Sequence, residues 1–145
     1  MNMIMTQENK ELLLKDLCAR LPYGVKLAFY ASATKQTYVC TLLGLEPQED
    51  EPVIANTEKG SFYMLAGNVK PYLYPLSSIT EEQEKELLKL GVSYGEYALH
   101  DDIRGLGIMV DEAYIFFEFC YKNHIDFLGL IEKELAIDAT GLNIY

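Results

Sequence analysis

The sequence predicts an α+β domain: an N-terminal helix, a mostly antiparallel sheet of about four or five strands, then C-terminal helices packed on one face. Three observations lead there. The first twenty residues repeat apolar side chains at helical spacing, residues 25–66 break into short runs rich in β-branched and aromatic residues, and helical periodicity returns after Thr80. A length of 145 residues, half of them hydrophobic and 23% charged, is enough for one core and one domain spanning 1–145.

Thr6 is placed to cap the first helix, with Glu8 in its first turn. Leu14, Leu17, Cys18 and Leu21 fall on one predicted face, and Lys10, Lys15 and Asp16 mark the wet side. Pro22-Tyr23-Gly24 ends the helix, because proline breaks the hydrogen-bond ladder and glycine permits a sharp exit.

Val25 to Ala31 and Thr37 to Leu45 then read as a β-hairpin closed by Thr34-Lys35-Gln36. The second of these runs is apolar on both faces, which predicts a central strand covered on both sides. Glu46 to Pro52, acidic and proline-bearing, reads as a solvated loop. Val53 to Asn56 and Ser61 to Ala66 follow as two strands around the turn Thr57-Glu58-Lys59-Gly60, where glycine supplies a positive φ. Lys70 to Ser78 holds two prolines four residues apart and reads as an extended edge segment.

Thr80 and Gln83 form a capping box ahead of Glu81 and Glu82, and Gly91 supplies the stop of that helix. From Val92 to Met109 the glycines interrupt every pattern, and neither loop nor broken helix is favoured. Asp111 and Glu112 open a further helix with Ala113, Phe116, Phe117 and Cys120 on one face, and a short helix is expected around Leu128 to Leu135.

Composition excludes several function classes. No apolar run approaches the roughly 20 residues that cross a bilayer, so no membrane association is expected. The N-terminal residues lack a signal-peptide pattern, and Cys18, Cys40 and Cys120 are an odd, dispersed set that suits reduced core thiols. A cytoplasmic setting is expected from both. A net charge of −10 repels phosphate backbones, and lysines and arginines are scattered singly, so direct nucleic-acid binding is not expected.

His100, Asp101, His124 and Asp126 are the candidate polar site, since a carboxylate beside a histidine orients the ring and raises its basicity. Neither pair has the spacing of a zinc helix, so no metal or cofactor is expected. Cys40 and Cys120 sit among large apolar neighbours that make a thiol inert, so a catalytic set is not expected either. The glycines around Arg104 match no phosphate-binding loop. The 11 tyrosines are the richer clue, because aromatic rings with polar tips favour interfaces as well as cores; Tyr72 and Tyr74 are the candidate interaction surface.

Three blocks, Lys15 to Val25, Lys70 to Ser78 and Asp126 to Glu132, resemble short hypothetical proteins of gut Bacteroidetes and their phages or prophages, a family of unknown function. Leu128 departs from the polar or basic residue expected in the third block. The resemblance implies a bacterial cytoplasmic setting, and a mobile element as one origin. It implies no activity.

The functional expectation is a small non-enzymatic binding module with a protein partner or self-association. One alternative is an acidic mimic of nucleic acid that inhibits a host or phage enzyme. Another is a hydrolase or metal enzyme using His100 and His124 with the nearby aspartates.

Overall fold

The computed structural model describes residues 6–31, 33–45, 52–57, 60–65, 68–90 and 110–145. Val92 to Met109, the stretch without a readable pattern, lies outside them, as do His100 and Asp101.

Helix α1 runs Gln7–Arg20, and the Thr6 hydroxyl accepts a hydrogen bond from the Asn9 amide at 3.1 Å, a side-chain cap on an otherwise orphaned donor. A 3-10 turn, Leu21–Tyr23, and Gly24 at φ 67° turn the chain into the sheet, as the proline and glycine predict. The buried face of α1 is rotated from the expected one. Leu13, Asp16, Leu17 and Arg20 are buried while Cys18 is exposed. Asp16 and Arg20, four residues apart, point inward because they neutralise one another, so the polar residue read as a wet-side marker belongs to the core.

Strands β1 (Lys26–Ala31), β2 (Gln36–Leu45), β3 (Pro52–Thr57), β4 (Gly60–Leu65) and β5 (Val69–Pro75) pair antiparallel in the spatial order β4-β3-β2-β1-β5. The β1–β2 turn takes its positive φ from Lys35, at 56°; Gly60, the first residue of β4, has a φ of 117°, and Glu58 and Lys59 before it lie outside the described residues. A bulge between Leu42 and Gly44 shifts the β2–β3 register. Two short strands, β6 (Ile125–Asp126) and β7 (Ile137–Asp138), each add a parallel pair to β5.

β5 is therefore not an edge segment. Its two prolines are accommodated because its pairing comes in short patches: three residue pairs with β1, two with β6 and two with β7. Neither Pro71 nor Pro75 has to continue a long ladder as a donor.

Leu13 and Leu17 of α1 cover Leu27, Cys40, Leu42, Val69 and Leu73 on one sheet face. On the other face, Ala28 of β1 and Tyr72 of β5 are covered by Ala139, Ile137 and Ile144 from the last turn of chain. That cover stops short of β2. Val39 is 50% exposed and Leu43 48%, so the central strand is buried on one face only, contrary to the expectation from its composition. The periodicity of a strand reports which residues are apolar, and the position of the C-terminal segment decides which are covered.

Helix α2 (Glu81–Lys89) carries both bonds of the predicted capping box, Gln83 amide to Thr80 hydroxyl at 3.2 Å and Thr80 amide to Gln83 side chain at 2.9 Å. Helix α3 (Val110–Lys122) buries Phe116, Phe119 and Cys120 with Leu87 of α2 and Ile125 of β6, a second core beside the sheet. No helix forms at Leu128 to Leu135. The Asp126 carboxylate instead accepts the amides of Leu130 and Ile131, both at 2.9 Å, and residues 130–134 fold as turns between Gly129 at φ 77° and Glu134 at φ 61°.

Candidate functional site

The two cores meet at a polar cluster, buried at Asp16 and Arg20 and partly exposed at Lys26, His124 and Tyr145, built from the C-terminal turn of α1, the end of α3, β6, and the place where β1 and β5 part. Arg20 is its hub. The guanidinium Nε bonds Asp16 Oδ2 at 2.7 Å, Nη2 bonds the Ile125 carbonyl at 2.7 Å, Nη1 reaches the Cys120 carbonyl at 3.5 Å, and the plane lies 5.3 Å from the Tyr121 ring centre. The fork geometry of arginine suits it to close several acceptors at once where helix α3 ends. Burial pushes the Asp16 carboxyl above its ordinary value, with Arg20 opposing the shift.

Residue 124 turns the chain from α3 into β6 with a left-handed backbone, φ 58°. The His124 amide bonds the Tyr121 carbonyl, its carbonyl accepts the Tyr74 amide at 2.8 Å, and its ring stacks on Tyr145 with centres 3.7 Å apart and planes 10° from parallel. Its Nδ1 is buried and without a hydrogen-bond partner among the described residues. Burial, with the positive charges of Arg20 and Lys26 adding to it, lowers the imidazole to about 4, so it is neutral at pH 7.

Tyr145 fills a place in the sheet. The last β1–β5 partners are Leu27 and Pro71, so the next in register are Lys26 and Tyr72. Between those two stands the Tyr145 hydroxyl, accepting the Lys26 amide at 2.9 Å and donating to the Tyr72 carbonyl at 2.7 Å. A phenol bridges the strands where a backbone pair would otherwise continue; the residue as a whole is 41% exposed, yet desolvation of its hydroxyl between the two strands pushes it up to about 12.

The residues singled out from sequence divide. His124 belongs to the cluster, through Tyr145 and not through a carboxylate. Asp126 is buried with both carboxylate oxygens held by the Leu130 and Ile131 amides, a turn-forming role. Tyr72, at 7% exposed, is core; Tyr74 is half-buried with its ring 6.0 Å from that of Tyr145. The pair therefore does not present an outward surface, because the C-terminal segment covers that stretch of β5. Cys40 is pushed up to about 11 and Cys120 also upward, both by burial, so both thiols stay protonated at neutral pH. Cys18, expected in the core, is exposed.

Arg20, Lys26 and Tyr145 escaped the reading from sequence. The four-residue spacing of Asp16 and Arg20 was a visible signal. Nothing local ties Tyr145 to Lys26 or Tyr72, which lie 119 and 73 residues away.

Among the described residues no group of three or more histidines, cysteines, aspartates or glutamates is placed to hold a metal ion, and no helix is long and apolar enough to cross a membrane. The chain matches no protein-family model, no curated protein and no solved structure.

Proposed function

We propose that the protein is a non-enzymatic binding module whose contact surface is the sheet face around Val39 and Leu43, with a second copy of the chain as its simplest partner. The observation that carries this reading is the pair of half-exposed aliphatic side chains on the central strand, where neighbouring β1 and β5 are covered by the C-terminal segment. The state of the polar cluster supports it as well. Neutral His124, protonated Tyr145 and the Asp126 carboxylate are committed to holding backbone segments together.

About half of each aliphatic side chain remains to be buried, roughly 1 kcal/mol apiece, so these two residues alone support only weak association. Light scattering over a concentration series tests the reading. Wild type should show association that strengthens with added salt, because salt screens the repulsion between chains of net charge −10. Val39→Ser with Leu43→Ser, which leaves the net charge unchanged, should weaken it by about 30-fold while leaving the far-ultraviolet circular dichroism unchanged. A wild type that stays monomeric throughout and joins no partner protein, or a double variant that associates equally well, would overturn it.

A further inference from the structure

We propose that the stacked rings of His124 and Tyr145 are an acid-sensitive clasp that holds the segment Ile137–Tyr145 across β1 and β5. Beyond the packing of Ile137, Ala139 and Ile144 on Ala28 and Tyr72, the segment is held at a few points. β7 pairs with β5 over two residues, the Ala139 amide bonds the Leu73 carbonyl at 2.8 Å, and the far end is held by the Tyr145 hydroxyl between Lys26 and Tyr72. The Tyr145 ring stacks on His124, whose buried Nδ1 has no acceptor among the described residues for the N–H that a second proton would place there.

The groups around the imidazole oppose its protonation. From α1 it meets the positive charge of Arg20, already engaged by Asp16, and from β1 that of Lys26. β5 and α3 meet residue 124 through backbone, the Tyr74 amide on its carbonyl and the Tyr121 carbonyl on its amide, and the C-terminal segment contributes the Tyr145 phenol ring. In β6 the Asp126 carboxylate is turned to the Leu130 and Ile131 amides. A proton arriving on Nδ1 is therefore unsolvated and close to two cations, and release of the segment is the way to hydrate it.

The linkage has one sign. The folded imidazole titrates at about 4 against an ordinary 6.5, so the closed clasp is fully favoured above pH 6.5 and loses ground as the pH falls toward 4. Allowing for partial solvent screening of the ring, opening should increase about tenfold between pH 7 and pH 5. Release would uncover Ala28, which stands directly opposite Val39 in the sheet register, and so enlarge the exposed apolar face. That last consequence rests on the binding reading above; the clasp itself does not.

Amide hydrogen exchange of the full chain, expressed as protection factors, tests the clasp. The reporter is the Lys26 amide, bonded to Tyr145, and the control is the Leu42 amide, bonded to the Val25 carbonyl within the sheet. Lys26 should lose about tenfold protection from pH 7 to pH 5 while Leu42 keeps its own. His124→Asn tolerates the left-handed backbone without titrating, and should abolish that pH dependence. Tyr145→Phe keeps the histidine and should leave Lys26 unprotected at every pH. Protection of Lys26 that is flat with pH in wild type, or that falls only together with Leu42, overturns the clasp. Opening at pH 5 without any rise in association by light scattering leaves the clasp standing and counts against the binding surface alone.

Discussion

Arg20 shows how one side chain can join two cores. It enters from α1 with an aspartate partner and closes two carbonyls at the end of α3 and the start of β6. Arg20→Ala should cost about 3–5 kcal/mol in urea unfolding, since it strands the Asp16 carboxylate in the interior. Asp16→Leu with Arg20→Met should lose less than that single change, because both buried charges leave together. The thiols give a second residue-scale expectation. In native protein a disulfide reagent should modify exposed Cys18 rapidly and Cys40 and Cys120 only on unfolding, since burial both hides the latter two and suppresses their thiolates. Asp16 and His124 also titrate with opposite consequences. Asp16, raised by burial, weighs against the fold at neutral pH and does so less as its carboxyl takes up a proton in acid, whereas His124 loses its contribution as pH falls from 6.5 through about 4.

Among the elements, α2 depends most visibly on a local motif. It has nine residues and one fully buried side chain, Leu87, so its capping box is a large share of what holds it. Thr80→Ala should cost about 0.5–2 kcal/mol, measurable as a lowered urea midpoint with the slope unchanged. Phe116 of α3 fills the core shared with α2 and β6, and Phe116→Ala should cost about 3–5 kcal/mol in the same assay. The legibility of the elements follows this division between local and distant causes. Thr6, Gly24, Thr80 and Gln83 act through bonds spanning a few residues, and the sequence announces each of them. The edge reading of β5 failed because proline reports only its missing donor, and β5 accommodates that loss by dividing its partners among β1, β6 and β7. The helix expected at Leu128 to Leu135 failed because Asp126, just ahead of it, offers its carboxylate to the Leu130 and Ile131 amides.

At the scale of the whole molecule, an acidic chain carries two half-exposed aliphatic side chains, Val39 and Leu43, on a sheet whose neighbouring strands β1 and β5 are covered by a segment distant in sequence. Salt and acid should act on it in different ways, salt by screening charge between molecules and acid by loosening the His124–Tyr145 stack within one. Sequence by itself determined the α+β class, the order of helices and strands through β5, the helix caps and the positive φ at Gly60, because caps, turns and periodicity act within one or two turns of chain. It also marked His124 and Asp126 as polar residues of interest, though not what they do. Only the tertiary structure decided that Asp16 and Arg20 face inward, that β2 is covered on one side, and that Tyr145 stands between Lys26 and Tyr72. The physical reason is common to all three. Whether a polar group can be buried, or an apolar one left in water, depends on partners as much as 119 residues away along the chain.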